Sequence, residues 1–327
     1  MSGLIGEFFN TPIPEKVWHY TSISALEGIL SSGAVWATEV HYTTDASEFV
    51  HAQNVATAFL QEIVPADESM ARAKQAGLNV LVHAFENGPL SPDITEVFVA
   101  SFSSCADLKS QWMEYADAGR GVSIAFDLSG IRPPQELGYA LAFAPCVYIQ
   151  DEKEKLLAAA LGHFMQTFAE LDRNTRSHRW AAERLRDWLL VDQIYGLEFN
   201  RAVFDAANDE YIRALLHGAL TQTSFDLLRL ASHCKDYAFH QQAEWRLSLP
   251  HTKSKPFRGI EVQYRGAEQH IPYLAHNLFS ERLPITEVLV GPFCQDLATI
   301  EQLLDTYNCR VPVVMSGIPI RNPNKIR

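Results

Sequence analysis

The feature that most constrains the fold is one long stretch of helical periodicity, residues 151–237, lying between two strand-rich parts of the chain. It is almost free of glycine and proline and is rich in leucine, alanine, arginine and glutamate. Apolar residues recur there at every fourth position, as in Leu156, Ala160, Phe164 and Phe168, which is the spacing of one helix face. The stretch therefore predicts three or four helices inserted between two halves of a sheet.

Strand patterns lie on both sides of this insertion. Short apolar and β-branched runs occur at 17–20, 34–37, 97–103, 122–127 and 144–149, and again at 244–249, 260–264, 285–290 and 311–315. Helical patterns alternate with them at 24–32, 45–64, 69–77, 110–118 and 296–307. Together they predict an α+β fold with a mixed or antiparallel sheet. The predicted divisions are a first half of the sheet at 1–150, a helical insertion at 151–237 and a second half at 238–327.

Composition narrows the class of protein. The chain has 327 residues, of which 47% are hydrophobic and 20% charged, so a full globular core is expected. The net charge of −12 argues against a broad surface for nonspecific nucleic-acid binding, which needs a basic face. Apolar runs stay shorter than the roughly 18 residues that span a bilayer, so no membrane association is predicted. Oligomeric state is left open.

Cysteine usage and missing motifs exclude several kinds of site. Five cysteines are scattered without a CxxC pair, which predicts reduced thiols in a cytoplasmic protein and no thiolate zinc site. The sequence lacks GxGxxG after a strand, GxxxxGK[ST], HExxH and GxSxG. Dinucleotide-fold, P-loop, metalloprotease and hydrolase chemistries are therefore unsupported, and no metal ion is predicted.

The first candidate site motif is the run from Trp18 to Ser22, where a strand ends and a helix begins. Backbone N–H groups and side chains are exposed together at such a junction, which suits phosphate or ribose hydroxyls. His19, Tyr20 and Thr21 would hold a ribose diol. The alternative is a purely structural His-Tyr pair.

The second candidate motif is the serine-rich strand end Ser101–Ser104, followed by Trp112 and Tyr115. The hydroxyl groups of Ser101 and Ser103 need partners, whereas the two aromatic residues lie three apart on one helix face. Aromatic residues at that spacing are either core residues or a stacking platform.

The third candidate motif is the run Glu244-Trp245-Arg246. Side chains two apart on a strand share a face, so Glu244 and Arg246 lie together. They either pair with each other on the surface or line a cleft, where Glu244 would stabilise developing positive charge.

These motifs occur in an order that resembles a bacterial family, the domain of unknown function 2971. The segments that carry the resemblance are HYTS, TTDASE, SFSS, QWMEYADAGRGVSIAFD, EWR, ITEVLVGP and VPVVMSGIPIR. They cover roughly residues 16–321, and the helical stretch at 151–235 matches least well.

That family is similar in turn to ADP-ribosyltransferases, whose core is a split sheet. The resemblance implies NAD as substrate and a catalytic set of Glu244, His19 and Tyr20. Glu244 is the carboxylate of that set, and His19, with Tyr20 or Thr21, holds the nicotinamide-side ribose. Trp36, Tyr42 and Trp112 are candidates for stacking on nicotinamide or adenine, together with Tyr115, and Arg246 for binding pyrophosphate. Ser101 and Ser103 complete the candidate NAD contacts.

The resemblance predicts an ADP-ribosyltransferase or an NAD-hydrolysing enzyme, in the manner of a toxin or antiviral effector, whose acceptor is protein, nucleic acid or water. Gln242 stands two residues before Glu244, where arginine-modifying relatives carry an acid, so arginine is disfavoured as acceptor. The alternatives are a noncatalytic sensor that binds a nucleotide or a partner protein, and a structural adaptor. The adaptor predicts that His19 and Glu244 lie far apart.

Overall fold

The computed structural model describes residues 3–43, 48–86, 95–128, 141–175, 210–253, 261–266, 270–275 and 283–319. Part of the predicted insertion, 176–209, lies outside these ranges, as do Thr44 and Asp45 of the TTDASE segment. Within them the protein is α+β, as predicted. The helices are α1 (Gly3–Phe9), α2 (Ile23–Ser32), α3 (Glu48–Glu62), α4 (Glu68–Glu86), α5 (Lys109–Tyr115), α6 (Gln150–Thr175), α7 (Glu210–Ala231) and α8 (Leu297–Thr306).

The ten described strands form one mixed sheet. They are β1 (Val17–Thr21), β2 (Ala37–Glu39), β3 (Thr95–Ser103), β4 (Val122–Phe126), β5 (Ala142–Pro145), β6 (Glu244–Thr252), β7 (Gln263–Arg265), β8 (Ile271–Leu274), β9 (Ile285–Val290) and β10 (Val313–Met315). Most neighbouring strands run antiparallel, and β9 with β10 is the parallel pair. A mixed or antiparallel sheet was predicted, and the sheet is mixed.

Strand β3 is the central strand, and one of its edges is forked. Strand β6 pairs with it at every position from Thr95 to Ser103, which fills one edge. Strands β1 and β2 therefore share the opposite edge, where β1 contacts Ser103 and β2 contacts Phe98 and Val99. Between these contacts the two strands diverge, so in the described part of the chain neither pairs with Ser101. The fork opens the sheet beside β3.

The two faces of the sheet are covered by different helices. One face packs the side chains of Phe98 and Phe102 into a core with α2 and α8. The other face packs Val97 and Val99 into a larger core with α1, α3, α4, α6 and α7. A smaller cluster on that second face holds Trp18, Tyr20 and Trp112 of α5. The space between the larger core and this smaller cluster lies over the fork.

The helical layer joins two parts of the chain. Helices α6 and α7, from the predicted insertion, share one buried core with α3 and α4, which precede β3. Thr223 of α7 donates a hydrogen bond to the Ala160 carbonyl of α6 (3.0 Å) inside that core. In the described residues no helix is both long enough and apolar enough to cross a membrane.

Local sequence explains the element that leads into the site. The Ser22 hydroxyl accepts a hydrogen bond from the Ala25 amide (3.1 Å) and caps α2, as serine does at helix starts. Gly33 ends the helix with φ +64°, a left-handed conformation that glycine adopts without steric cost. Strand β1 and α2 are thus joined by a tight junction directly after His19, Tyr20 and Thr21.

Candidate functional site

A cavity of about 290 Å³ opens over the fork, near the lower end of the range for small-molecule sites. Strand β1 contributes His19 and Tyr20, β3 contributes Val99–Phe102, and α5 contributes Gln111 and Tyr115. Trp36 directly before β2, Thr38 within it, and Tyr42 and Thr43 in the turn after it form another part of the lining. The rest comes from Lys235 and Gln242 before β6, from Glu244 and Arg246 of β6, and from Arg265 of β7. Residues from all three predicted motifs therefore meet in one place. His19 and Glu244 line the same cavity, which contradicts the expectation of the adaptor hypothesis.

The floor of the cavity is a buried ion cluster centred on Glu244. Its Oε1 accepts from Arg246 Nε (2.7 Å), and its Oε2 accepts from Lys235 Nζ (2.6 Å). The Glu244 residue is only 5% exposed, Lys235 3% and Arg246 2%. The sequence prediction of a pair on one strand face is confirmed, but the pair is buried rather than on the surface.

The two cations determine the charge state of Glu244. Burial alone would raise its pKa, because a carboxylate loses water contacts. Arg246 and Lys235 outweigh that penalty, and the Ser101 hydroxyl also favours the charged form, so the pKa falls to about 2. Glu244 is therefore an anion at neutral pH, suited to stabilising positive charge and not to donating a proton.

The His19 imidazole sits where β1 leaves β3. Its Nδ1 lies 2.9 Å from the Ser101 carbonyl oxygen, which only accepts, so Nδ1 carries the proton. Burial lowers the pKa of His19, so the ring is neutral and its Nε2 keeps a lone pair. That nitrogen is suited to accept a hydrogen bond from a sugar hydroxyl. Ser101 thereby connects the two predicted catalytic residues, through its carbonyl to His19 and its hydroxyl to Glu244.

Tyr20 lines the cavity, but its hydroxyl is already used. It donates to the Cys105 carbonyl (3.0 Å) and accepts from the Leu108 amide (3.0 Å). Burial raises the pKa of the phenol above its ordinary range, so it stays protonated. The prediction that Tyr20 acts catalytically is corrected: its hydroxyl positions the loop that follows β3.

Three other predicted contacts lie outside the lining. Thr21 is buried at the end of β1. The Ser103 hydroxyl donates to the Gln242 carbonyl (2.8 Å) and accepts from the Cys105 amide (3.1 Å). Trp112 is fully buried and its indole N–H donates to Asp107. Burial or internal hydrogen bonds occupy all three side chains. Trp112 is therefore a core residue, which was one of the two alternatives for aromatic residues at that helical spacing.

The remaining aromatic predictions lie at the cavity. Trp36 stacks on Tyr273 with ring centroids 4.7 Å apart, and Tyr42 is 42% exposed. The Tyr115 hydroxyl accepts from Gln242 Nε2 (3.1 Å), while Gln242 Oε1 accepts from Lys235 Nζ (2.9 Å). Gln242 thus links the ion cluster to α5.

Arg246 does not fit its predicted role as the pyrophosphate ligand. Its Nε is bound to Glu244 and its Nη1 donates to the Ser232 carbonyl (2.8 Å). A fully buried guanidinium held in this way supports Glu244 instead. The prediction that Arg246 binds pyrophosphate is therefore corrected. Arg246 instead pairs with Glu244, which was one of the two alternatives for this strand.

Backbone geometry fixes the approach to Glu244. Ala243 has φ +45°, a left-handed conformation that costs an alanine about 1–2 kcal/mol. Its carbonyl accepts from the Ser104 amide (3.0 Å), which holds the turn in place. Strained backbone of this kind is concentrated at functional sites. Here the left-handed residue lies between Gln242 and Glu244, whose side chains both line the cavity.

Several lining residues were not predicted as site contacts, among them Thr38, Lys235, Gln242 and Arg265. The strand pattern at 260–264 was taken to end one residue before Arg265, whereas β7 covers Gln263–Arg265. Alternation would have placed Gln263 and Arg265 on one face. Among the described residues no group of three or more His, Cys, Asp or Glu side chains is arranged to hold a metal ion.

The fold and the site together describe a mixed α+β protein with a cavity of charged, polar and aromatic residues at a forked sheet edge. Residues 111–247 match the model of a family described as "Protein of unknown function (DUF2971)", which confirms the predicted family resemblance over that range. The matched range carries the ion cluster, including Glu244, and leaves out His19 and Arg265. No curated protein and no solved structure is significantly similar to the chain.

Proposed function

We propose that the cavity binds NAD and cleaves its nicotinamide–ribose bond, transferring ADP-ribose to an acceptor or to water. The observation that carries this proposal is that His19 and Glu244, from strands far apart in sequence, line one cavity and are linked through Ser101. A split-sheet core of ADP-ribosyltransferase type is the finer fold assignment that accompanies it, and the forked edge of β3 supports that assignment.

The chemistry requires an anion near the ribose. As the C1′–N bond breaks, its electron pair goes to the nicotinamide nitrogen, which becomes neutral, and the ribose acquires oxocarbenium character. The Glu244 carboxylate stabilises that positive charge. The acceptor's oxygen or nitrogen then bonds to C1′ and releases a proton, which leaves ADP-ribosylated acceptor, or free ADP-ribose when the acceptor is water.

His19 would orient the sugar. Its unprotonated Nε2 accepts a hydrogen bond from a ribose hydroxyl, while the proton on Nδ1 stays with the Ser101 carbonyl. Trp36 and Tyr42 offer aromatic surface for nicotinamide or adenine. Glu244 retains unused acceptor capacity, because a carboxylate has about four lone-pair positions and Lys235, Arg246 and the Ser101 hydroxyl engage three of them.

The test is nicotinamide release from NAD by purified protein, with protein and nucleic-acid acceptors added or omitted. Glu244→Gln is expected to lower turnover by about 100- to 1000-fold, the loss typical for removal of one electrostatic stabiliser. Glu68→Gln is the matched control, since Glu68 lies on the exposed surface of α4 and pairs with Arg72. Wild-type turnover by a folded Glu244→Gln protein would refute the catalytic role.

A second candidate function rests on a specific observation. Both oxygens of Glu244 are already held by buried cations, an arrangement that also suits a noncatalytic site for nucleotide or partner binding. A binding module of this kind would take up NAD without releasing nicotinamide. Calorimetric binding together with the absence of nicotinamide release would favour it over the enzyme.

A further inference from the structure

We infer that Arg265, with Thr38, forms a phosphate subsite at the β7 end of the cavity. The identity of the ligand, a dinucleotide, rests on the proposed function. We assign its diphosphate to this end of the cavity.

Arg265 is held over an aromatic pair. Its guanidinium carbon lies 5.8 Å from the Trp36 ring centroid and 5.5 Å from that of Tyr273, within the range of cation–π attraction. Its Nη2 donates to Thr38 Oγ1 (2.8 Å). These contacts fix the guanidinium beside the cavity without neutralising its charge.

Arg265 lacks a carboxylate partner within the described ranges of the chain, since none of their ion pairs involves it. A guanidinium has five N–H donors, and one is used on Thr38. Planar guanidinium groups bind phosphate oxygens in pairs. Arg265 is therefore equipped to bind an anion that enters the cavity.

The charge of the lining agrees with an anionic ligand. Among the residues that the structure describes, the lining contains three basic side chains, Lys235, Arg246 and Arg265, and one acidic side chain, Glu244. The whole chain, in contrast, carries a net charge of −12. Lys235 and Arg246 are bound to Glu244, which leaves Arg265 as the cation suited to the ligand.

The Thr38 hydroxyl supplies a further donor at this end. Thr38 Oγ1 accepts from Arg265, so its own proton remains available. Thr43 is less suited, because its hydroxyl already donates to the Val40 carbonyl (2.7 Å).

The test is isothermal titration calorimetry of wild type and Arg265→Gln with inorganic pyrophosphate, NAD and nicotinamide riboside, which lacks phosphate. Arg265→Gln is expected to weaken pyrophosphate and NAD binding by about 10- to 100-fold, the loss of one charge-assisted contact, and to leave nicotinamide riboside unchanged. Arg265→Lys should recover part of the loss because it keeps the charge. Arg72→Gln, on the surface of α4, is the matched control, and thermal unfolding checks that each variant is folded.

The outcomes separate this inference from the proposed function. Pyrophosphate binding that depends on Arg265, without nicotinamide release, supports the subsite and refutes the catalytic proposal. Nicotinamide release by Arg265→Gln with the wild-type KM refutes the subsite and leaves the catalytic proposal standing. Absence of pyrophosphate binding to wild type, or equal binding by Arg265→Gln, overturns the subsite.

Discussion

Replacement of Glu244 by glutamine tests the buried ion cluster as well as the chemistry. The variant keeps the size of the side chain but leaves Lys235 and Arg246 without their shared anion. The cluster lowers the pKa of Glu244 from 4.5 to about 2, which corresponds to about 3 kcal/mol at about 1.4 kcal/mol per pKa unit. Removal of one partner of a buried ion pair typically costs about 3–5 kcal/mol, so the two values agree.

We therefore expect Glu244→Gln to unfold about 5–10 °C below wild type, by the usual relation between stability and Tm. Differential scanning calorimetry at pH 7 measures this directly. A protein of ordinary stability, about 5–15 kcal/mol, remains folded after such a loss, so the activity assay is valid at a temperature below both transitions.

The pH dependence gives an independent check. The folded-state pKa is lowered, so the stabilisation is complete above about pH 4.5 and is lost as pH falls toward 2. The difference in Tm between wild type and Glu244→Gln should shrink over that interval, because the other carboxylates titrate in both proteins. An equal Tm at pH 7, or a difference that stays constant with pH, would refute the electrostatic reasoning.

Three further outcomes are expected from single residues. Ala243→Gly should raise the free energy of unfolding by up to about 1 kcal/mol, because glycine relieves the left-handed strain at φ +45°; destabilisation in chemical denaturation would contradict this. Gly121→Ala should lower it by more than about 2 kcal/mol, because the added Cβ would fall on the Thr21 carbonyl oxygen; a wild-type Tm would count against that clash. Burial lowers the pKa of His233 to about 4, so the unfolded chain takes up a proton at this residue before the folded protein does. The free energy of unfolding of wild type should therefore fall by about 3 kcal/mol between pH 6.5 and pH 4. A pH series of Tm values should show this loss in wild type and not in His233→Gln.

Sequence patterns predicted most of the helices and strands that are marked by local periodicity or by capping residues. Strand β9 was predicted at its observed bounds, and α2 was found from its serine cap and Gly33. Helix α1 and strand β8 were missed. Their short runs are stabilised by packing against distant parts of the chain, which periodicity does not register.

The candidate site was predictable only in part, for a physical reason. His19 and Glu244 were identified from ordered motifs, but their juxtaposition depends on the pairing of β3 with both β1 and β6. Trp112 and Tyr115 look alike at helical spacing, and the fold buries Trp112 while Tyr115 lines the cavity. Arg265 could not be recognised because its partners, Thr38 and Trp36, are more than two hundred residues away in sequence.

The fork in β3 also limits what can enter the sheet. The gap between its contacts at Val99 and Ser103 spans four residue steps, or about 13 Å at strand rise. Exposed strand edges usually invite another polypeptide to add on, but this opening is bounded at both ends by strands of the same molecule. The Ser101 carbonyl inside the opening is already held by His19, so this gap is a poorer template for a further strand than an open sheet edge is.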